Sequence, residues 1–168
     1  MQKMKIAIVY WSKNGTTEKA ANIIGEKLSE NEVDLFDLQI DPDPNVSGHD
    51  MVIIGGPIYF GMMQNPVKMF CKHNEKLLLE KEIGLFICSI SREQDEAQFE
   101  NAFSVKIRNH SRANACLGGE LIFEKLNFFE KLMVWKVAES HLEFHIDQLE
   151  TDTFVEKLYA VIANYCTA

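Results

Sequence analysis

The chain has 168 residues, of which 46% are hydrophobic and 25% are charged, a composition that predicts one globular domain over residues 1–168 with a sizeable core. Its formal net charge of -8 argues against a nucleic-acid-binding protein, because contacts to phosphates need clustered Lys and Arg. The same charge argues against electrostatic adhesion to an anionic membrane.

Strand-like and helix-like segments alternate along the chain, and this alternation predicts a parallel sheet with helices on both faces. The predicted strands are Lys5–Tyr10, Val33–Leu38, Met51–Gly55, Ile83–Cys88 and Ala113–Leu121. The predicted helices are Thr16–Glu30, a helix that starts near Asn65, Gln94–Arg108 and Thr151–Asn164. The expected fold class is therefore α/β, with a doubly wound, five-stranded parallel sheet.

Local signals place several element boundaries. Val33–Leu38 alternates between apolar and polar residues, which predicts a strand near an edge of the sheet. Asn65 and Thr151 are the expected N-caps of their helices. The strand Met51–Gly55 is expected to end in the turn Gly55-Gly56-Pro57.

A short turn rich in hydroxyl groups follows the first predicted strand. It consists of Ser12, Lys13, Asn14, Gly15, Thr16 and Thr17. Gly15 permits a tight turn, and the free N–H groups at the start of the next helix point at an anion. The chain has neither a G-x-G-x-x-G after a strand nor a G-x-x-x-x-G-K-[ST], which disfavours a dinucleotide fold and a P-loop NTPase. The turn predicts a phosphate site.

Two further loops are expected at the same edge of the sheet, because ligands of open parallel sheets bind outside the carboxyl ends of the strands. The loop Gly56–Gln64 offers aromatic and sulfur-containing side chains next to glycines, and we expect Tyr59 and Phe60 to be exposed at a ligand edge. The loop Ser89–Asp95 offers Ser89, Ile90 and Ser91, a small segment suited to hydrogen bonding with the edge of a heterocycle.

These motifs resemble those of a known family. Tyr10–Glu18 is similar to the FMN phosphate loop of flavodoxins, and Gly55–Gly61 is similar to the second loop that flanks their flavin. Among flavodoxin-like proteins the chain most resembles the menaquinone-dependent protoporphyrinogen IX dehydrogenases, through both loops, the run Leu117–Leu121 and an insertion before the final helix. The resemblance implies a flavodoxin-like fold.

The resemblance also implies a binding site for FMN. It implies that backbone amides of residues 13–17 and the hydroxyls of Ser12, Thr16 and Thr17 hold the phosphate. It implies that Tyr59 or Phe60 stacks near the isoalloxazine ring, with backbone contacts from Ser89–Ser91 to the polar edge of the ring. The full set of cofactor residues expected on this basis is Ser12, Lys13, Asn14, Gly15, Thr16, Thr17, Pro57, Ile58, Tyr59, Phe60, Gly61, Ser89, Ile90 and Ser91.

Two redox functions stay open at this point, beside a third possibility in which a flavodoxin-shaped module has lost its cofactor and serves in assembly. One is an FMN-dependent oxidoreductase acting on a quinone, a porphyrinogen or another small acceptor. The other is an electron carrier that docks to redox proteins and has no small-molecule substrate of its own. Acidic residues near the third loop, among them Asp95, Glu96 and Glu100, suit docking to a basic partner.

The segment Ile122–Glu150 is longer than a minimal connection between the last strand and the last helix, so we interpret it as an insertion. If Ile122–Val137 is helical, it carries an apolar stripe that can pack on the domain. Phe128, Leu132 and Trp135 form a second stripe on nearly the opposite side. Either the rest of the insertion covers this second stripe, or the stripe serves as a homodimer or partner surface or as a wall of a substrate pocket.

The remaining signals concern cysteines, histidines and location. The four cysteines are widely separated and form no C-x-x-C pair, so we expect no disulfide framework. His141 and His145 are four residues apart but have no third metal ligand in pattern, so we expect no metal site. No secretory signal is expected before the first strand, and the uncharged stretch Met51–Val67 is interrupted by Gly and Pro. We therefore expect a cytoplasmic protein without a transmembrane segment.

Overall fold

Strands and helices alternate along the chain, as the hydrophobic pattern predicts. The computed structural model describes residues 3–90, 92–119, 128, 131 and 145–167. The strands are β1 (Lys5–Tyr10), β2 (Glu32–Asp37), β3 (Met51–Tyr59), β4 (Met62–Met63), β5 (Glu82–Cys88) and β6 (Ala113–Cys116). The helices are α1 (Thr16–Lys27), α2 (Asn65–His73), α3 (Glu75–Leu78), α4 (Asp95–Ala102), α5 (Val105–His110) and α6 (Gln148–Thr167).

The sheet has the order β2-β1-β3-β5-β6, and all of these neighbours pair in parallel. The short strand β4 pairs antiparallel with the end of β3. The predicted doubly wound sheet of five parallel strands is therefore confirmed, and β2 lies at an edge as its alternating pattern indicates. The winding reverses between β1 and β3, where open sheets of this type bind ligands.

Two hydrophobic cores cover the two faces of the sheet. On one face, Ile24 of α1 and Phe154 of α6 pack with Phe86 of β5. On the other face, Phe70 of α2 and Ile107 of α5 pack with central-strand residues. Among the helices that the structure describes, none is both long enough and apolar enough to cross a membrane.

The prediction that β3 ends at Gly55 is wrong, because the strand continues through Pro57 to Tyr59. Proline lacks an N–H donor and is tolerated where a strand has a neighbour on one side only. The pairing of β3 with β1 stops at Gly55, whereas its pairing with β5 runs on to Pro57 and Cys88. Pro57 therefore has a neighbouring parallel strand on one side only.

The predicted helix Gln94–Arg108 is divided into α4 and α5. Phe103 is extended and buried, and the Ser104 hydroxyl accepts a hydrogen bond from the Ile107 N–H at 3.4 Å, which starts the second helix. The predicted caps Asn65 and Thr151 are also wrong. Both residues lie inside their helices.

The end of the chain differs from the prediction in its boundaries. Strand β6 stops at Cys116, because Gly118 adopts a left-handed φ of 73° and forms an isolated antiparallel bridge with Ile146. Helix α6 starts at Gln148, so the last residues of the expected insertion belong to it. The two apolar stripes predicted over 122–137 lie outside the described residues, apart from Phe128, which is exposed.

Candidate functional site

The turn between β1 and α1 is built around a left-handed glycine. Gly15 has a φ of 94° and stands at the N-cap position of α1. The Ser12 hydroxyl accepts a hydrogen bond from the Gly15 N–H at 3.0 Å. Ser12 is buried, so its side chain braces the turn from inside. The N-terminal end of α1, with its positive dipole, opens at this turn.

A residue that the sequence analysis missed supports the same turn. The side-chain amide of Gln39 donates to the Ser12 carbonyl. Gln39 lies two residues after the carboxyl end of β2, which the parallel sheet places next to the end of β1. The topology predicts this neighbourhood, but the identity of the contacting side chain carries no sequence signal.

Thr17 lies in the first turn of α1 and is buried, with 1% of its surface exposed. Its Oγ1 atom has no hydrogen-bond partner among the described residues. Burying a hydroxyl without a partner costs about 1–3 kcal/mol, so such an atom in a native protein calls for a ligand or another explanation. Thr17 is one of the residues predicted to bind phosphate.

The second predicted loop is a tight hairpin. Tyr59 pairs with Met62, and the two residues between them, Phe60 and Gly61, have φ values of 52° and 74°. Two positive φ values in a row are typical of a type I′ turn. Phe60 is 72% exposed and Met62 is 58% exposed, so the hairpin presents an aromatic ring and a thioether at its tip.

Pro57 and Ile58, which were expected in this loop, are instead buried strand residues. The glycines before them are also explained by packing. A Cβ atom on Gly56 would lie 2.5 Å from the Sδ atom of Met63 and 2.9 Å from Val67. Gly56 therefore makes room for the core side chains of Met63 and Val67.

The first two loops are in direct contact. The Asn14 side-chain amide donates to the Tyr59 hydroxyl at 3.3 Å. The Lys13 ammonium lies 5.8 Å from the centroid of the Tyr59 ring, within the range of a cation–π interaction. The loop that was expected to hold phosphate and the loop that was expected to flank a ring thus form one continuous surface.

Hydrogen bonds hold the third loop against α4 and against the segment that follows β6. The buried Ser89 hydroxyl donates to the Gln98 side chain of α4, and the Ser89 N–H donates to the Gly118 carbonyl at 3.0 Å. Ile90 lies against Gly119, where a Cβ atom would be 3.0 Å from Ile90 Cγ2. Ser91 lies outside the described residues. Both donors of Ser89 are engaged internally, and its expected backbone contact with a cofactor stays a prediction.

An acidic surface adjoins the hairpin. Helix α4 packs against β4, and its first turn carries Asp95 and Glu96. A cavity of about 460 Å³ next to this helix is lined by acidic residues together with Arg108 and Cys116. Burial, assisted by the nearby Asp95 and Glu150 carboxylates, raises the pKa of Cys116 to about 12. This thiol is therefore protonated at neutral pH.

The comparison with protein families shows the family of the chain. A model described as a flavodoxin domain matches residues 7–145, which is most of the chain. The chain belongs to the flavodoxin domain family. A search of the curated proteins finds no match to this flavodoxin-domain chain.

Solved structures share the flavodoxin fold at low sequence identity. A flavodoxin of Streptococcus pneumonia TIGR4 is 16% identical, with a TM-score of 0.55 and coverage of 93% of this chain and 98% of that one. The rubredoxin oxygen:oxidoreductase of Desulfovibrio gigas is 15% identical, with a TM-score of 0.52, and the match covers 94% of this chain and 38% of that one. A flavodoxin from the domain Archaea is 19% identical, with a TM-score of 0.50 and coverage of 66% and 78%. Identities in this range show the fold alone.

Proposed function

We propose that this flavodoxin-domain protein binds FMN at the carboxyl edge of its sheet and works as a redox protein. The observation that carries the proposal is the buried Thr17 hydroxyl, which lies at the N-terminal end of α1, where a phosphate is favoured. This hydroxyl has no hydrogen-bond partner among the described residues. A phosphate oxygen is the acceptor that this hydroxyl needs. Membership of the flavodoxin domain family supports FMN as the molecule that brings it.

The rest of the turn fits the same group. Gly15 is left-handed, so the N–H groups that follow are directed toward an anion. Thr16 is half-buried beside it and supplies a second hydroxyl. The Lys13 ammonium stands at the same turn and adds a positive charge to the neighbourhood of the phosphate.

The hairpin fits the flavin ring. We infer that Phe60 flanks the ring and that Tyr59 does not, because Phe60 is 72% exposed while Tyr59 is half-buried and bonded to the first loop. The exposed thioether of Met62 extends the same apolar surface. Pro57, Ile58 and Gly61 contribute through the backbone that shapes the hairpin, and Ser89 anchors the third loop to α4.

Bound FMN supplies the one- and two-electron chemistry, while the protein supplies binding, orientation and electrostatics. We propose, as the resemblance to protoporphyrinogen dehydrogenases suggests, that the protein oxidises or reduces a small molecule such as a quinone or a porphyrinogen. Residues 122–150 are then candidates for shaping the substrate pocket or a dimer surface.

A second candidate is an electron carrier that docks to redox proteins. The observation that favours it is the exposed Phe60–Met62 tip next to the acidic first turn of α4. An apolar centre with an acidic rim suits a partner with a basic surface, and such complexes form more slowly as ionic strength rises.

Titration with FMN and with riboflavin, followed by quenching of flavin fluorescence, tests the cofactor proposal. We expect FMN to bind at least tenfold more tightly than riboflavin, because a hydrogen bond to a charged group contributes about 1.5–3 kcal/mol. Equal affinities for the two flavins would show that the turn does not recognise phosphate.

Steady-state kinetics separate the two redox functions. If the protein is an oxidoreductase, turnover of a menaquinone analogue or of protoporphyrinogen proceeds without a protein partner. If it is a carrier, electron transfer to a basic redox protein is fast and slows with added salt, while small acceptors support no turnover. Absence of turnover with both small molecules rules out the dehydrogenase assignment.

A further inference from the structure

We propose that Tyr59 is a positioning residue that couples the Ser12–Thr17 turn to the Tyr59–Met62 hairpin, so that recognition of the phosphate and recognition of the ring are energetically linked. The proposal rests on the FMN site proposed above. It goes further because it assigns the aromatic residue a role between the loops rather than on the flavin.

Two consecutive residues of the first turn contact the same side chain. Asn14 donates to the Tyr59 hydroxyl at 3.3 Å, and Lys13 lies over the ring at 5.8 Å from its centroid. One contact engages the hydroxyl of the aromatic side chain and the other engages the face of its ring. Tyr59 is thereby held by the Ser12–Thr17 turn, in which Asn14 lies 45 residues earlier in the sequence, as well as by its own strand.

The position of Tyr59 determines the position of the hairpin tip. Tyr59 pairs with Met62, and only Phe60 and Gly61 lie between them. Phe60 has a φ of 52°, a conformation that is strained for a bulky residue and that persists only where its surroundings impose it. The contacts to Tyr59 are part of those surroundings. A change in the first turn is therefore expected to reach the exposed Phe60 ring through Tyr59.

Riboflavin separates this coupling from direct phosphate binding, because it carries the ring without the phosphate. We expect Asn14→Ala to lower the affinity for riboflavin about three- to tenfold, the range that corresponds to the loss of one hydrogen bond. We expect Tyr59→Phe to have an effect of the same size. The double variant should have the same riboflavin affinity as the single variant with the lower affinity, since both substitutions remove the same hydrogen bond.

Matched variants serve as controls. Asn22→Ala removes an amide that donates only locally, to the Glu18 carbonyl of the same helix, and Tyr165→Phe removes a hydroxyl that donates to Asp50. Both should leave riboflavin affinity unchanged. If Asn14→Ala weakens FMN alone and leaves riboflavin affinity at the wild-type value, Asn14 acts only on the phosphate and the proposed coupling is wrong.

Hydrogen exchange on the flavin-free protein tests the coupling independently of cofactor binding. Asn14→Ala should speed exchange of the amides of residues 59–63 by at least about threefold, and Asn22→Ala should not, because the hydrogen bond to Tyr59 stabilises the hairpin. Unchanged exchange in the hairpin would overturn the proposal. If wild-type protein binds neither flavin, the FMN proposal fails, while the exchange measurement still decides whether Tyr59 couples the loops.

Discussion

Gly55 of β3 and Phe86 of β5 are register partners, and the Phe86 ring fills the space that a side chain at position 55 would need. A Cβ atom on Gly55 would lie 2.0 Å from the Cζ atom of Phe86, a distance at which atoms overlap. Gly55 thus allows a large aromatic ring to cover one face of the sheet at this position, where the ring also packs edge-on against Phe154 of α6.

Gly55→Ala should lower the free energy of unfolding by about 1–3 kcal/mol, because the added methyl group forces the Phe86 ring and its neighbours to move. Urea unfolding followed by circular dichroism measures the change. Gly48→Ala is the matched control, since a Cβ atom at Gly48 meets no atom within 4 Å. An equal, small effect of the two substitutions would contradict the packing role of Gly55.

Thr17→Val should have opposite effects on stability and on binding. Replacing the buried, unpartnered hydroxyl by a methyl group of the same shape is expected to leave the free energy of unfolding of the flavin-free protein unchanged or to raise it by about 1 kcal/mol. FMN affinity is expected to fall about tenfold or more, because the hydrogen bond to the charged phosphate is lost. Urea unfolding and fluorescence titration measure the two quantities.

Thr151→Val provides the control for this experiment. Thr151 is fully buried like Thr17, but its hydroxyl donates to the Asp147 carbonyl at 2.6 Å. The substitution should therefore destabilise the protein by about 1–2 kcal/mol and leave FMN affinity unchanged. Loss of stability in Thr17→Val equal to that in Thr151→Val would show that the Thr17 hydroxyl has a partner within the protein.

Phe60→Asn should stabilise the hairpin and weaken flavin binding. Asn-Gly is the preferred pair for a type I′ turn, and the change relieves the left-handed backbone of a bulky residue, so the free energy of unfolding should rise by about 0.5–1 kcal/mol. Loss of the exposed ring should lower riboflavin affinity. Ile40→Asn, which removes an apolar side chain that is 85% exposed elsewhere, should change neither quantity. Unchanged riboflavin affinity in Phe60→Asn would exclude Phe60 as the ring-flanking residue.

Stability should fall at alkaline pH because of Cys71. Burial raises the pKa of this thiol from 9.0 to about 12, so above about pH 9 the unfolded chain loses its proton while the folded chain keeps it. The thiol therefore contributes stability that is present below the unfolded pKa and is lost between about pH 9 and about pH 12, with a slope of at most about 1.4 kcal/mol per pH unit. Urea unfolding of wild type and Cys71→Ala across this interval measures the slope. Parallel pH profiles of the two proteins would contradict the assignment.

The sequence predicts the fold well where hydrophobic periodicity is strong. The runs Ile6–Tyr10 and Ile83–Cys88 are apolar throughout, and each lies in a central strand at nearly the expected boundaries. The prediction fails where tertiary context outweighs a local signal. Gly55-Gly56-Pro57 has the composition of a turn, yet these residues continue β3. The two glycines leave room for neighbouring core side chains, and Pro57 has a neighbouring strand on one side only.

The candidate site is predictable in position but not in its internal contacts. Parallel strands bring the three loops to one edge regardless of their side chains, so the positions of the turn Ser12–Thr17 and of the loop that carries Phe60 can be predicted from sequence, whereas the hairpin form of that loop cannot. The contacts of Gln39 with Ser12 and of Asn14 with Tyr59 depend on side-chain reach across the sheet edge. Neither contact follows from spacing along the chain.

A crystal structure of the protein with FMN tests the central claim most directly. The account predicts that an oxygen of the phosphate lies within hydrogen-bonding distance of Thr17 Oγ1 and of the N–H groups that follow Gly15. It also predicts that the Phe60 ring flanks the flavin while Tyr59 stays against Asn14. A phosphate bound elsewhere on the protein, with Thr17 Oγ1 still lacking a partner, would contradict the account.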